Sequence, residues 1–165
     1  MHASKLINSI YSILNEDKFS KYTIKQIYDE LGEEGFIEYI EDLCQKAIKL
    51  NVPNKKFKLT IRNDVYPNRL VYTSEVIISK DIEVSEIFVF SIYTRNFRSL
   101  VGQDIIDFRH LITVSQGSDV TDVISSFWVT VTDHSYVGIS NLIKKEVGRV
   151  YSMPKLVKAR KKYGI

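Results

Sequence analysis

Near Pro53 the apolar spacing changes from about 3.6 residues to about 2, so the chain reads as helices first and strands afterwards. Leu6, Ile7, Ile10, Ile13 and Leu14 form a stripe on an expected helix from Ala3 to Asn15. Thr23 is placed to cap a second helix carrying Ile24, Ile27, Tyr28 and Leu31, and Gly32 to stop it. Phe36, Ile37, Ile40, Leu43, Cys44, Ala47 and Ile48 share one face of a third helix, which Asn51–Val52–Pro53–Asn54 ends. About three N-terminal helices are therefore expected.

Past Pro53, Phe57, Leu59 and Ile61 alternate with polar neighbours, and Leu70, Tyr72, Ser74, Val76 and Ile78 do the same. Ile87–Tyr93 is a nearly continuous β-branched and aromatic run. Short turn sequences (Asn63–Asp64, Pro67–Asn68, Lys80–Asp81) join these runs, which predicts an antiparallel meander. Further strands are expected at Leu111–Ser115 and Ser126–Thr132, making about five. Val101–Phe108 reads as a short helix, and Gln116–Asp119 as a turn leading into a short helical segment toward Ile124. Asn141–Val147 starts a final helix, and the tail after Pro154 reads as a helical turn or a basic arm. The expected fold class is α+β in one domain, 1–165: a helical part over 1–53, a mostly antiparallel sheet over 54–140 and a basic C-terminal part over 141–165.

At 44% hydrophobic and 26% charged residues the chain can build a packed core, which argues against disorder and low-complexity classes. Its longest apolar runs fall far short of the roughly 20 residues that span a bilayer, so no membrane is expected. No export signal opens the chain, so the expected location is the cytoplasm, or the virion or host cytoplasm for a viral protein. The single Cys44 rules out an internal disulfide and leaves no cysteine cluster for zinc or iron–sulfur. Alanine occurs only at Ala3, Ala47 and Ala159, whereas Ile, Lys, Tyr and Phe are frequent. That bias follows AT-rich codons and fits a phage, viral or mobile-element origin.

The net charge of +3 is unevenly placed. Residues 1–53 balance to −3 and residues 54–143 to −1, while the last stretch, from Lys144, balances to +7. Lys155, Lys158, Arg160, Lys161 and Lys162 put five cations in eight residues, a patch able to engage phosphates or an acidic protein surface. With Arg95, Arg98 and Arg109 it supports an alternative reading as a nucleic-acid-binding protein. Tyr22–Gly32 looks like the first helix of a helix-turn-helix, but the helix after it would begin with Glu33, Glu34, Glu38, Glu41 and Asp42 and would repel a phosphate backbone.

Catalytic constellations are weaker. On a helix, Asp104, Asp107 and His110 at spacings of three would gather for a divalent metal or an acid–base pair, the basis of a second alternative, a metal-dependent nuclease or phosphodiesterase. The same residues also fit the polar side of an element leading into a strand. Asp133–His134 sits at a strand end and reads as a turn. Gln116–Gly117–Ser118–Asp119 lacks the glycine spacing and following lysine of a P-loop, and no Gly-x-Ser-x-Gly elbow is present. Cys44 shares the apolar face of its helix and reads as an inert buried thiol. No cofactor and no resident metal are expected.

The strands carry more apolar surface than one covered face needs. Ile77, Ile87, Val89 and Tyr93 fall on the face opposite the helices, beside Val71 and Trp128. A sheet apolar on both faces must be covered twice. The expected function is therefore a non-enzymatic interaction or assembly protein, a subunit, accessory or inhibitor that docks to a protein partner or to copies of itself.

Overall fold

The computed structural model describes residue 19 and residues 21–98 and 105–165. The first described helix, α1 (Ile24–Asn51), opens with a capping box: the Thr23 hydroxyl accepts from the Gln26 amide and the Gln26 side chain accepts from the Thr23 amide. Gly32 (φ 75°, ψ 177°) leaves helical geometry, as expected of a stop, and a second helical stretch starts beyond it; glycine alone enters that region at little steric cost. The second and third expected helices are thus the two helical stretches on either side of that kink, joined in α1. The expected helix from Ala3 to Asn15 lies outside the described residues. Beyond the bend, Phe36, Ile40, Leu43, Cys44, Ala47 and Ile48 are buried against the sheet.

Among the described residues six antiparallel strands follow: β1 (Lys58–Arg62), β2 (Asn68–Ile77), β3 (Ile82–Ile92), β4 (Ile106–Gln116), β5 (Asp119–Ser125) and β6 (Val129–Thr130). The sheet runs in chain order from β1 to β5, and β6 pairs with β4 beyond the end of β5. A 3₁₀ turn (Thr94–Arg98) leaves β3. The α+β class and the antiparallel sheet stand as expected. The short helix read over Val101–Phe108 does not, since residues 106–108 open β4. Nor does the helical segment toward Ile124: Gly117 (φ 62°) turns the chain tightly and β5 pairs straight back on β4.

Two helices close the chain, α2 (Tyr136–Tyr151) and α3 (Pro154–Tyr163). Asp133 accepts from the Ser135 amide and the Ser135 hydroxyl accepts from the Gly138 amide, so the Asp133–His134 turn serves as the start of α2. A Cβ at Gly138 would fall 2.2 Å from Asp133 Cγ, so the turn requires glycine there. The tail after Pro154 is an ordered amphipathic helix, with Leu156, Ala159 and Tyr163 buried against β4 and β5.

All described helices cover one side of the sheet, its inner face. Phe90, Phe108 and Phe88 pack ring to ring there, and His110 stacks on Phe88 at 4.5 Å. One large apolar cluster lies under α1 and α2, and a smaller one, with Ile112, Val114 and Ile124, lies under α3. Among the described residues no helix is long and apolar enough to cross a membrane.

Candidate functional site

The face of the sheet turned away from the helices is organised in rows by strand register. Arg62, Arg69, Ser91 and Asp107 form the first row, and Thr60, Val71, Val89 and Arg109 the second. Lys58, Thr73, Ile87 and Leu111 form the third. Glu75, Ser85 and Thr113 lie in the fourth, and Ile77, Glu83 and Ser115 in the fifth. The middle of this outer face is an apolar block of half-buried Val71, Val89, Ile87 and Leu111. Arg62, Arg69 and Arg109 crowd one end, where Asp107 stands in the first row and Asp64 lies 3.8 Å from Arg62, while Glu75 and Glu83 occupy the other.

Aromatic side chains rim the arginine end. Between β5 and β6 the chain leaves the ladder, and Ser126 bridges the gap: its amide donates to the His110 carbonyl and its hydroxyl accepts from the His110 amide. Phe127 and Trp128 are thereby pushed outward, Phe127 to 84% exposure. Arg69 and Arg109 stand over the Trp128 ring, 6.0 and 5.8 Å from its centroid. Arg109 Nε also donates to Ser125 Oγ and to the Ser126 carbonyl, which fixes the cation in place. The outer-face residues read from alternation, Val71, Ile77, Ile87, Val89 and Tyr93, therefore share one face with Trp128, and Ile77 at its far edge is 76% exposed.

A second polar feature lies on the inner face. Glu86, 2% exposed, and His110, fully buried, occupy inward positions on neighbouring strands. His110 Nε2 is 2.7 Å from Glu86 Oε2, and Lys55 Nζ donates to Glu86 Oε1 at 2.7 Å. The Tyr151 hydroxyl donates to the same carboxylate, 2.6 Å from Oε2 and 3.0 Å from Oε1. Burial alone would raise the Glu86 pKa, but the hydrogen bonds from His110, Lys55 and Tyr151 outweigh it and bring the carboxyl down to about 2. Burial and the Glu86 carboxylate push the Tyr151 phenol up. An ionised carboxylate only accepts, so Nε2 carries the proton toward it and His110 Nδ1 is left buried without a partner. This cluster ties the loop before β1, strands β3 and β4, and the end of α2 to one carboxylate.

Asp107 and His110 do not share a site. On strand β4 a spacing of three puts them on opposite faces: Asp107 lies outward and accepts from the Thr130 hydroxyl, while His110 lies inward on Glu86. Asp104 and the side chain of Arg98 lie outside the described residues. Among the described residues no group of three or more His, Cys, Asp or Glu is placed to hold a metal ion. Cys44 is fully buried, and burial pushes its thiol well up. His134 is held by burial below its ordinary pKa, against the pull of Asp133.

The basic stretch is ordered. Lys155, Lys158, Arg160, Lys161 and Lys162 lie on exposed positions of α3, where Lys162 comes within 3.9 Å of Asp122. Sequence reasoning overlooked Glu86, Lys55 and Tyr151. The clue was present: Glu86 interrupts the inward register Val84, Phe88, Phe90, and His110 interrupts Phe108, Ile112, Val114, so two polar residues meet on one apolar face. Comparison with known protein families, with curated proteins and with solved structures finds no match for this chain.

Proposed function

We propose that this chain is a non-enzymatic assembly protein whose outer sheet face docks on the same face of a second copy. One observation carries the reading: no described helix covers that face, and its charges are segregated along the strands, with arginines and Trp128 at one end and Glu75 and Glu83 at the other. A two-fold axis through the apolar middle would place the arginine end of each copy over the glutamate end of its partner. Two twisted sheets pack this way about 10 Å apart, burying both apolar blocks. The Glu86 carboxylate is already occupied by donors from His110, Lys55 and Tyr151, so it offers no free base to an enzymatic reading. The alanine-poor composition fits a phage, viral or mobile-element setting for such a subunit.

Sedimentation velocity of the full chain between about 1 and 100 µM tests the reading, with Ile87→Asp as the variant. A concentration-dependent dimer is expected, weakened by salt, and Ile87→Asp is expected to be a folded monomer by circular dichroism. A monomer at every concentration overturns the reading. So does an Ile87→Asp chain whose sedimentation is unchanged while its melting temperature falls, since the chain's own residues would then be covering the face.

The ordered basic helix favours a second reading, nucleic-acid binding through the exposed side of α3. It expects affinity for a 20-nucleotide duplex that falls with salt and drops when Lys155, Lys158 and Lys161 are changed together to Glu. Unchanged affinity in that triple variant removes it.

A further inference from the structure

The second apolar cluster is not closed. Helix α3 crosses β4 and β5, where Leu156, Ala159 and Tyr163 pack on Ile112, Val114 and Ile124, while Ile82 and Val84 of the β2–β3 hairpin stay only half-buried at the edge of the cluster. The inner face of that hairpin, Val76, Ile78 and Val84, therefore forms one wall of a cleft of about 380 Å³, with Leu156, Arg160 and Ile165 on the other. That volume lies in the range of small-molecule sites, roughly 300–1,000 Å³. Val76, 46% exposed, stands at its rim.

The polar end of the cleft holds Lys55, Ser74, Glu86 and Tyr151. Donors and acceptors do not balance there. Glu86 already accepts from Lys55, Tyr151 and His110. Lys55 has spent one of its three donors on Glu86. Arg160 stands 5.8 Å from the Tyr151 ring centroid and makes no ion pair among the described residues, so all five of its N–H groups remain for a ligand. Apolar walls that end in unspent donors of two cations match an acceptor-only group on an apolar body.

We propose that this cleft binds a small amphipathic carboxylate. Its apolar chain lies against Val76, Val84, Ile112 and Leu156, and its carboxylate is held by Arg160 with Lys55. A guanidinium meets a carboxylate through two parallel N–H donors, so Arg160 is the residue that selects charge and Lys55 adds to it. The Glu86 cluster acts as the floor that holds Lys55 and Tyr151 in place. The site is on the opposite face of the sheet from the docking surface and does not depend on it.

The experiment is a titration of the ¹⁵N-labelled full chain with octanoate, with 1-octanol as the uncharged control of equal length and octylamine as the control of opposite charge. Octanoate is expected to give saturable amide shifts at Val84, Ile112 and Leu156, and to bind at least about tenfold tighter than either control. Arg160→Gln is expected to lower octanoate affinity by about tenfold while leaving octanol unchanged. Val76→Trp fills the cleft from its exposed rim, where the fold tolerates bulk, and is expected to abolish both. Equal binding of octanoate and octanol, octanoate binding indifferent to Arg160→Gln, or no saturable shifts at these residues would each overturn the proposal.

Discussion

Ile87 and Phe88 are adjacent in the chain and point to opposite sides of strand β3. Phe88 is fully buried among Phe57, Phe108 and His110, while Ile87 stands half-buried beside Leu111. The inner face encloses an ionised Glu86 and still satisfies it, whereas the outer face keeps its valines, isoleucines and arginines at the surface. The difference lies in coverage. Apolar residues in inward register under α1 and α2 are withdrawn from water, and residues of equal hydrophobicity in outward register gain only what their strand neighbours shield. An apolar residue on a strand is thus a statement about one face at a time.

The comparison breaks first at Phe88 and Ile87. Phe88→Ala should destabilise by about 3–5 kcal/mol in urea unfolding, and Ile87→Ala by only about 1 kcal/mol in dilute protein. Equal losses would mean that both faces are covered in the isolated chain.

The next effect is a pH dependence confined to the inner face. The Glu86 pKa is lowered from 4.5 to about 2 in the folded chain, so its contribution is fully present above pH 4.5 and is lost as pH falls toward 2. The loss expected from this group is on the order of 3 kcal/mol. Glu86→Gln should be less stable than the parent at pH 7, and the gap should close by about that amount between pH 5 and pH 2. A gap that stays constant over that interval would show that Glu86 does not hold its charge against the cluster.

A smaller loss is expected at Tyr151. Tyr151→Phe removes the hydroxyl that faces both Glu86 oxygens and should cost about 1–2 kcal/mol by thermal unfolding, with the Glu86-dependent pH step made shallower. The smallest belongs to the outer face again: Thr113→Ala, in the row of Glu75 and Ser85, should change monomer stability by less than about 0.5 kcal/mol. A larger loss there would point to cover on the outer face.

Much of this was legible in the chain. The cap at Thr23, the alternation of β2, the apolar run of β3 and the turns between them identify themselves by residue type and spacing. Asp104, Asp107 and His110 misled because a spacing of three brings neighbours together on a helix and separates them on a strand, and the segment before His110 carries apolar residues compatible with either. Gly32 did what its residue type suggested: it leaves helical geometry at positive φ, and a second helical stretch starts beyond it because Phe36 and Ile40 have an apolar sheet to pack against. Glu86 was visible only as an interruption of the inward register, since its partners Lys55, His110 and Tyr151 are separated from it by 24 to 65 residues.

Local chemistry alone determined the switch from helix to strand, the antiparallel order of the sheet and the two-sidedness of its apolar residues, because each depends on neighbours within a few positions. Which face the helices would cover, the meeting of Glu86 with His110 across two strands and the opening of a cleft beside Arg160 were decided by tertiary structure. Those outcomes depend on strand register and on where α3 comes to rest, and both are settled by contacts between residues far apart in the chain.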